Sequence, residues 1–300
     1  MMAGADDRTA SGGKSGSRGP AGREGGVRRV VALLDASRVS MGALEAAAAF
    51  ASACRAEFVG WFVEEDALVR CAGYPWAREV GISGAVRAMQ PGEMEQRLRD
   101  RAQAMRRDLE RIARAHGLQA RLQVYRGQVI STVLQESTRD DFLFLGKVGY
   151  RRSMGLRVGS TAKALMARSP GPVMIYEPAV KAASPSIIAV VVPVGDQGLR
   201  ALAAAAALAG ENAASLAVLL PREDGNGGEQ HEHAVRKLLQ EGNMNAHVQS
   251  VRNVTTINLL QIIREVSAQQ LVIPRQWALQ ESHRRADLVE EALMPVVVVP

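Results

Sequence analysis

Two kinds of hydrophobic pattern alternate along the chain. Short, mostly apolar runs stand at Val30–Leu34, Phe58–Val63, Ala120–Tyr125, Phe142–Leu145 and Pro172–Tyr176, and read as strands buried in a sheet. Between them lie helical stretches: about Ser40–Ala53, a longer one striped by Met94, Leu98, Met105, Leu109 and Ile112, a short one over Ile130–Glu136, and one opening at Thr161. Strand and helix in strict alternation predict a parallel sheet covered by helices on both faces. The connection from Glu64 to Gly92 breaks the rhythm. Its glycines and prolines predict a long loop, with Tyr74-Pro75-Trp76 as either a lid or a partner contact.

The pattern then starts again. Ile187–Val192, Leu216–Leu220, His247–Val251, Leu271–Ile273 and Pro295–Val299 repeat the strand order, and Ala201–Ala209 matches Ala43–Ala51 at seven of nine positions. The chain therefore reads as a tandem duplication. Residues 27–180 form a first α/β domain and 185–300 a second, with Ser184-Pro185 at the junction. Residues 1–26 are Gly- and Ser-rich with few large apolar side chains, and read as a disordered tail. Gly13-Lys14-Ser15 within it is no phosphate-binding P-loop, because Arg8 stands where the first glycine belongs and no strand precedes it.

Composition narrows the classes. A hydrophobic share of 47% suits a globular chain, and with aromatics at 4% the packing falls to alanine and aliphatic residues. No apolar run approaches the ~18 residues of a membrane helix, and no apolar leader opens the chain. Two cysteines, Cys54 and Cys71, are too few for a disulfide framework, so a reducing cytoplasmic setting is expected. Residues 184–300 carry 9 Lys and Arg against 12 Asp and Glu, and the rest 28 against 19. The basic first half suits an anionic ligand. Its arginine-rich helix around residues 97–114 lacks aromatics to stack bases, which speaks for a solvated face and against nucleic acid.

The candidate chemistry lies behind the fourth strand. Gly146-Lys147-Val148-Gly149 follows Phe142–Leu145, and Gly159-Ser160-Thr161 opens the next helix. Glycines let backbone approach a ligand closely, and a helix N-terminus offers unpaired N–H groups to phosphate. Lys147, Arg151, Arg152 and Arg157 lie in the same stretch, as phosphate-neutralising groups or solvated loop charges. The stretch reads as strand, phosphate loop, helix.

With Asp35-Ala36-Ser37 after the first strand, the Gly-x2-Gly-x9-Gly-Ser spacing and Pro172-Val173-Met174-Ile175 as last strand, residues 28–178 resemble the universal stress protein family. Residues 185–300 resemble it by element order only. The resemblance implies two tandem doubly wound, Rossmann-like five-stranded domains, the second degenerate, with ATP, with or without Mg²⁺, bound in the first. It implies Asp35 at the adenine amino group, the backbone near Val63 beside the base, Leu145, Gly146 and Gly149 along ribose and phosphates, and Gly159, Ser160 and Thr161 on phosphates. Ala162 stands where some members have a hydroxyl. With strand order 3-2-1-4-5, Asp35 and Gly146 flank the switch point, where such sheets bind ligands. The last strands, Val173–Tyr176 and Val296–Val299, are expected to pair as an internal pseudo-dimer or in self-association.

In the second half, Asp35 falls opposite Pro193 and Gly146 opposite Arg275, and 274–300 holds no glycine, so no such site is expected there. Asp140-Asp141 precede the fourth strand, far from the site, and His231-Glu232-His233 read as loop residues rather than metal ligands. The expected function is a nucleotide-responsive stress regulator that binds ATP. The alternatives are a slow ATP-hydrolysing enzyme and a protein-interaction module with a vestigial site. No residue is nominated as a hydrolytic base.

Overall fold

In the computed structural model, the described residues are 27–300 without 36–37, 81–82, 148–150, 153–154, 157, 178–185, 213, 223–227, 253 and 281–285. The tail over 1–26, Ser37, Gly149, Arg157 and the Ser184-Pro185 junction fall outside them. The first repeat begins β1 (Arg29–Leu34), α1 (Arg38–Cys54), β2 (Glu57–Glu65). An insertion follows, α2 (Asp66–Ala72) with a hairpin of β3 (Arg78–Val80) and β4 (Val86–Ala88), then α3 (Pro91–Ala115), β5 (Ala120–Gly127), α4 (Val129–Glu136) and β6 (Asp141–Gly146). A two-residue ribbon, β7 (Arg151–Arg152) and β8 (Gly155–Leu156), leads to α5 (Ser160–Arg168) and β9 (Val173–Tyr176).

The second repeat runs β10 (Ile187–Val191), α6 (Asp196–Asn212), β11 (Ser215–Pro221), α7 (Gly228–Glu241), β12 (Ala246–Val251), α8 (Thr256–Glu265) and β13 (Gln270–Pro274). It ends with α9 (Arg275–Ala278), α10 (Ala286–Glu291) and β14 (Val296–Val299).

Both repeats share one ten-stranded sheet, ordered β12-β11-β10-β13-β14-β9-β6-β1-β2-β5. Each half has the expected doubly wound order, so its chain direction switches between β1 and β6, or β10 and β13. All neighbours are parallel except β14 and β9, which pair antiparallel with Met174 opposite Val297. The last strands thus join edge to edge within one chain. Met174 and Val297 are themselves equivalent residues of the two repeats, so a local two-fold axis passes between them, as in an isologous dimer contact.

The strands are apolar on both faces because both faces are covered. Alternate residues of β1 split between two core layers: Val30, Ala32 and Leu34 pack with α1 and α3, and Val31 packs toward α5. Phe50 of α1 meets Phe142 edge-on at 5.0 Å. Gly60 of β2 lets α3 sit close, since a Cβ there would lie 2.8 Å from Leu109. These layers fix the carboxyl ends of β1, β2 and β6 relative to α3 and α5.

The long connection is more ordered than its glycines and prolines suggested. It folds into α2 and the β3–β4 hairpin, and Tyr74 and Trp76 stack at 5.1 Å on its surface. Arg97 of α3, then Arg87, hold the Glu79 carboxylate, whose pKa falls to about 2. His231 and His233 sit on α7 rather than a loop, with a His231 ring nitrogen 3.2 Å from the Val192 carbonyl. Asp141 begins β6 and accepts from Nε and Nη2 of Arg29 at 2.6 and 2.7 Å, at the sheet end remote from the glycines.

Candidate functional site

A cavity of about 330 Å³ opens at the carboxyl ends of β1, β2 and β6, over the switch point of the first repeat. That volume is at the lower end for small-molecule sites. Asp35 marks the end of β1, Val63 the end of β2, and Leu145 and Gly146 the end of β6. Gly159, Ser160 and Thr161 close the opposite side at the start of α5. Sequence separations of more than a hundred residues are bridged by the sheet register, which sets Val31 beside both Val59 and Leu143.

Local geometry suits an anion at α5. Gly159 is its N-cap, extended at φ −64° and ψ 157°, and no side chain caps the helix. No acidic residue occupies the first turn. The first N–H groups of a helix have no partner within it, and the N-cap Gly159 supplies no side chain to cap them. Asp35 is positioned by α1: its backbone N–H donates to the buried Ser40 hydroxyl at 3.3 Å. Ala162 is buried and lines the cavity as an apolar surface.

No protein-family profile and no curated relative matches the sequence. Solved structures do match the fold. A universal stress protein from Archaeoglobus fulgidus superposes with a TM-score of 0.66 at 15% identity, over 91% of this chain and 96% of that one. A putative universal stress protein from Pseudomonas aeruginosa superposes at 0.58 and 14% identity, over 91% and 93%. The fold is that of the universal stress proteins. Each match spans both repeats, so the tandem layout is part of the likeness.

Within this universal stress protein fold, one wall of the cavity had no sequence forerunner. Leu98 and Arg101 of α3 line it, together with Phe62, Glu65 and Val129. Arg101, an exposed residue, lies one turn after Leu98 at the edge of the buried stripe that continues to Met105 and Leu109. Its neighbours Arg97 and Arg99 pair with Glu79 and Glu95 on the outer surface. The spacing carries part of the signal: an arginine three residues after a stripe leucine falls on the stripe's side. Asp35, Glu65 and Arg101 are the charged residues lining the cavity among the described residues.

Lys147 is placed differently from the sequence reading. It is neither a solvated charge nor a phosphate neighbour: its side chain is 2% exposed and points into the second repeat. The equivalent site there is closed. The sheet register sets Gly146 opposite Pro274, not Arg275, and Lys147 opposite Arg275. Two residues on, where the first repeat has Gly149, stands Trp277, 1% exposed and packed in the core layer with Ile273 and Leu288.

Proposed function

We propose that the first repeat binds an adenine nucleotide, ATP in the first instance, and that the chain works as a nucleotide-responsive regulator rather than a fast enzyme. The observation that carries this reading is a cavity at the switch point with Asp35 on one side and the uncapped N-terminus of α5 on the other. Asp35 accepts a hydrogen bond from the exocyclic amine of the base, beside the β2 backbone at Val63. Gly146 borders the ribose. The N–H groups after Gly159, with the hydroxyls of Ser160 and Thr161, take the phosphates. Arg101 adds a guanidinium to the wall opposite α5, where it donates to a ring nitrogen of the base or stacks on its face. A bound Mg²⁺ would supply charge neutralisation at the phosphates.

The test is direct. Purified protein is denatured and the released small molecules are identified, and ATP is added to nucleotide-free protein in a thermal shift. An adenine nucleotide co-purifies and ATP raises the Tm. Gly159→Val abolishes that shift, because its extended backbone accepts valine and the added bulk stands at a residue that lines the cavity. Neither a co-purifying nucleotide nor a Gly159-dependent shift would mean that the site is vestigial. Phosphate release no faster than in Gly159→Val keeps the protein outside the ATPases.

A further inference from the structure

The phosphate-side elements of the first repeat are fastened to the second repeat. The Lys147 ammonium group lies 2.8 Å from Glu177 Oε2 and donates to the carbonyls of Glu290 at 2.9 Å and Ala292 at 2.8 Å. Two hydrogen bonds and an ion pair with an opposite charge compensate the burial of this ammonium. Glu177 follows β9, whereas Glu290 is in the last turn of α10 and Ala292 is the residue after it. Lys163, one turn into α5 from Ser160, forms an ion pair with the Glu290 side chain. α10 also packs on β8, in the stretch between Gly146 and Gly159. Three contacts therefore converge from one short helix of the degenerate repeat on both phosphate-side elements.

The arrangement is reciprocal. Arg275, the counterpart of Lys147, donates across the local two-fold to the Gly171 carbonyl, between α5 and β9, at 3.3 Å. Only one direction of this exchange ends at a glycine loop.

We propose that Lys147, Lys163 and Glu290 are positioning residues for the nucleotide site, and that α10 makes the second repeat a working part of it. The inference rests on the nucleotide reading above. Holding the residue after Gly146 and the first turn of α5 against the end of one short helix sets the spacing of the two elements that face the phosphates. By linkage, phosphate binding in the first repeat must tighten the docking of α10 by the same factor. This gives the degenerate repeat a role that does not require its own ligand.

The experiment compares ATP and adenosine by calorimetry in wild type, Glu290→Gln, and Lys147→Met/Glu177→Gln. Glu290→Gln changes only the second repeat and keeps its backbone carbonyl. The double change removes the buried pair together, leaving no orphaned charge. Both variants should raise the Kd for ATP about tenfold while adenosine stays within about twofold. In nucleotide-free protein, amide exchange over residues 159–163 should quicken in Glu290→Gln with the Tm nearly unchanged. Unchanged ATP affinity in both variants, or equal weakening of ATP and adenosine, overturns the proposal. A wild type that binds neither ligand overturns the nucleotide reading instead, and the exchange measurement then decides the positioning role alone.

Discussion

The two repeats fold alike and differ at one end of the sheet. In the first, β6 runs into glycines and the chain leaves room for a cavity. In the second, β13 ends in Pro274 and turns at once into α9, which buries Trp277 in the matching space. The first strand's end has changed in step. Asp35 gives its N–H to the Ser40 hydroxyl, whereas the counterparts Pro193 and Gly198 have neither an N–H nor a side chain. They are instead so close that a Cβ on Gly198 would lie 2.0 Å from the Pro193 carbonyl oxygen. A sheet end can thus be built to hold a ligand or to fill itself, and the same strand order serves both. What the second repeat loses in chemistry it keeps as an interface.

Trp277→Ala tests the filled end and should have the largest effect. Removing a fully buried indole from the layer of Ile273 and Leu288 costs about 3–5 kcal/mol, read as a fall in the urea midpoint. The empty space should gain no nucleotide affinity, because residues 274–300 contain no glycine to bring backbone close to a phosphate, and calorimetry should still count one site per chain. A second site appearing would break the comparison. At the open end, Arg101→Ala should weaken ATP binding about tenfold, or ~1.4 kcal/mol, with little change in stability. Adenosine should lose as much as ATP, since Arg101 stands across the cavity from α5; a loss confined to ATP would assign it to phosphate instead.

The sequence made the shared frame legible. Unbroken runs such as Val30–Leu34 and Phe142–Leu145 announce strands covered on both faces, and the repeat of their order announces the second half. Asp35, Gly146 and Gly159–Thr161 could be drawn together because switch-point topology brings the ends of β1 and β6 side by side. Three features were not readable. Lys147 looked like a loop charge because two of its acceptors lie 143 and 145 positions away, on a helix with no motif of its own. Arg101 is one of several exposed arginines of α3, and its spacing from Leu98 does not by itself single it out as a cavity residue. Gly146 stands opposite Pro274 and not Arg275: short apolar runs such as Phe142–Leu145 and Leu271–Ile273 fit either register, and only strand pairing decides.

The smallest expected effect separates the repeats on their outer faces. Glu79 and Glu232 are both held near a pKa of about 2, from the ordinary 4.5, by arginine hydrogen bonds. For Glu79 the leading partner is Arg97, and the bond ties the β3–β4 hairpin to α3. For Glu232 it is Arg236, then Ser250 and Arg222, and these bonds tie α7 to β12 and to the segment after β11. A carboxylate whose pKa is depressed by folding adds stability above its unfolded value of about 4.5 and loses it as pH falls toward 2. Glu232→Gln should therefore lower the urea midpoint slightly at pH 7, with the gap to wild type narrowing below pH 4.5 and closing near pH 2. Glu79→Gln should leave the global midpoint in place at every pH and instead quicken amide exchange in the hairpin, because its bonds hold an appendage rather than a layer of the sheet. Equal shifts in the two midpoints would show that the inserted hairpin is part of the cooperative core, and that the first repeat is braced as closely as the second.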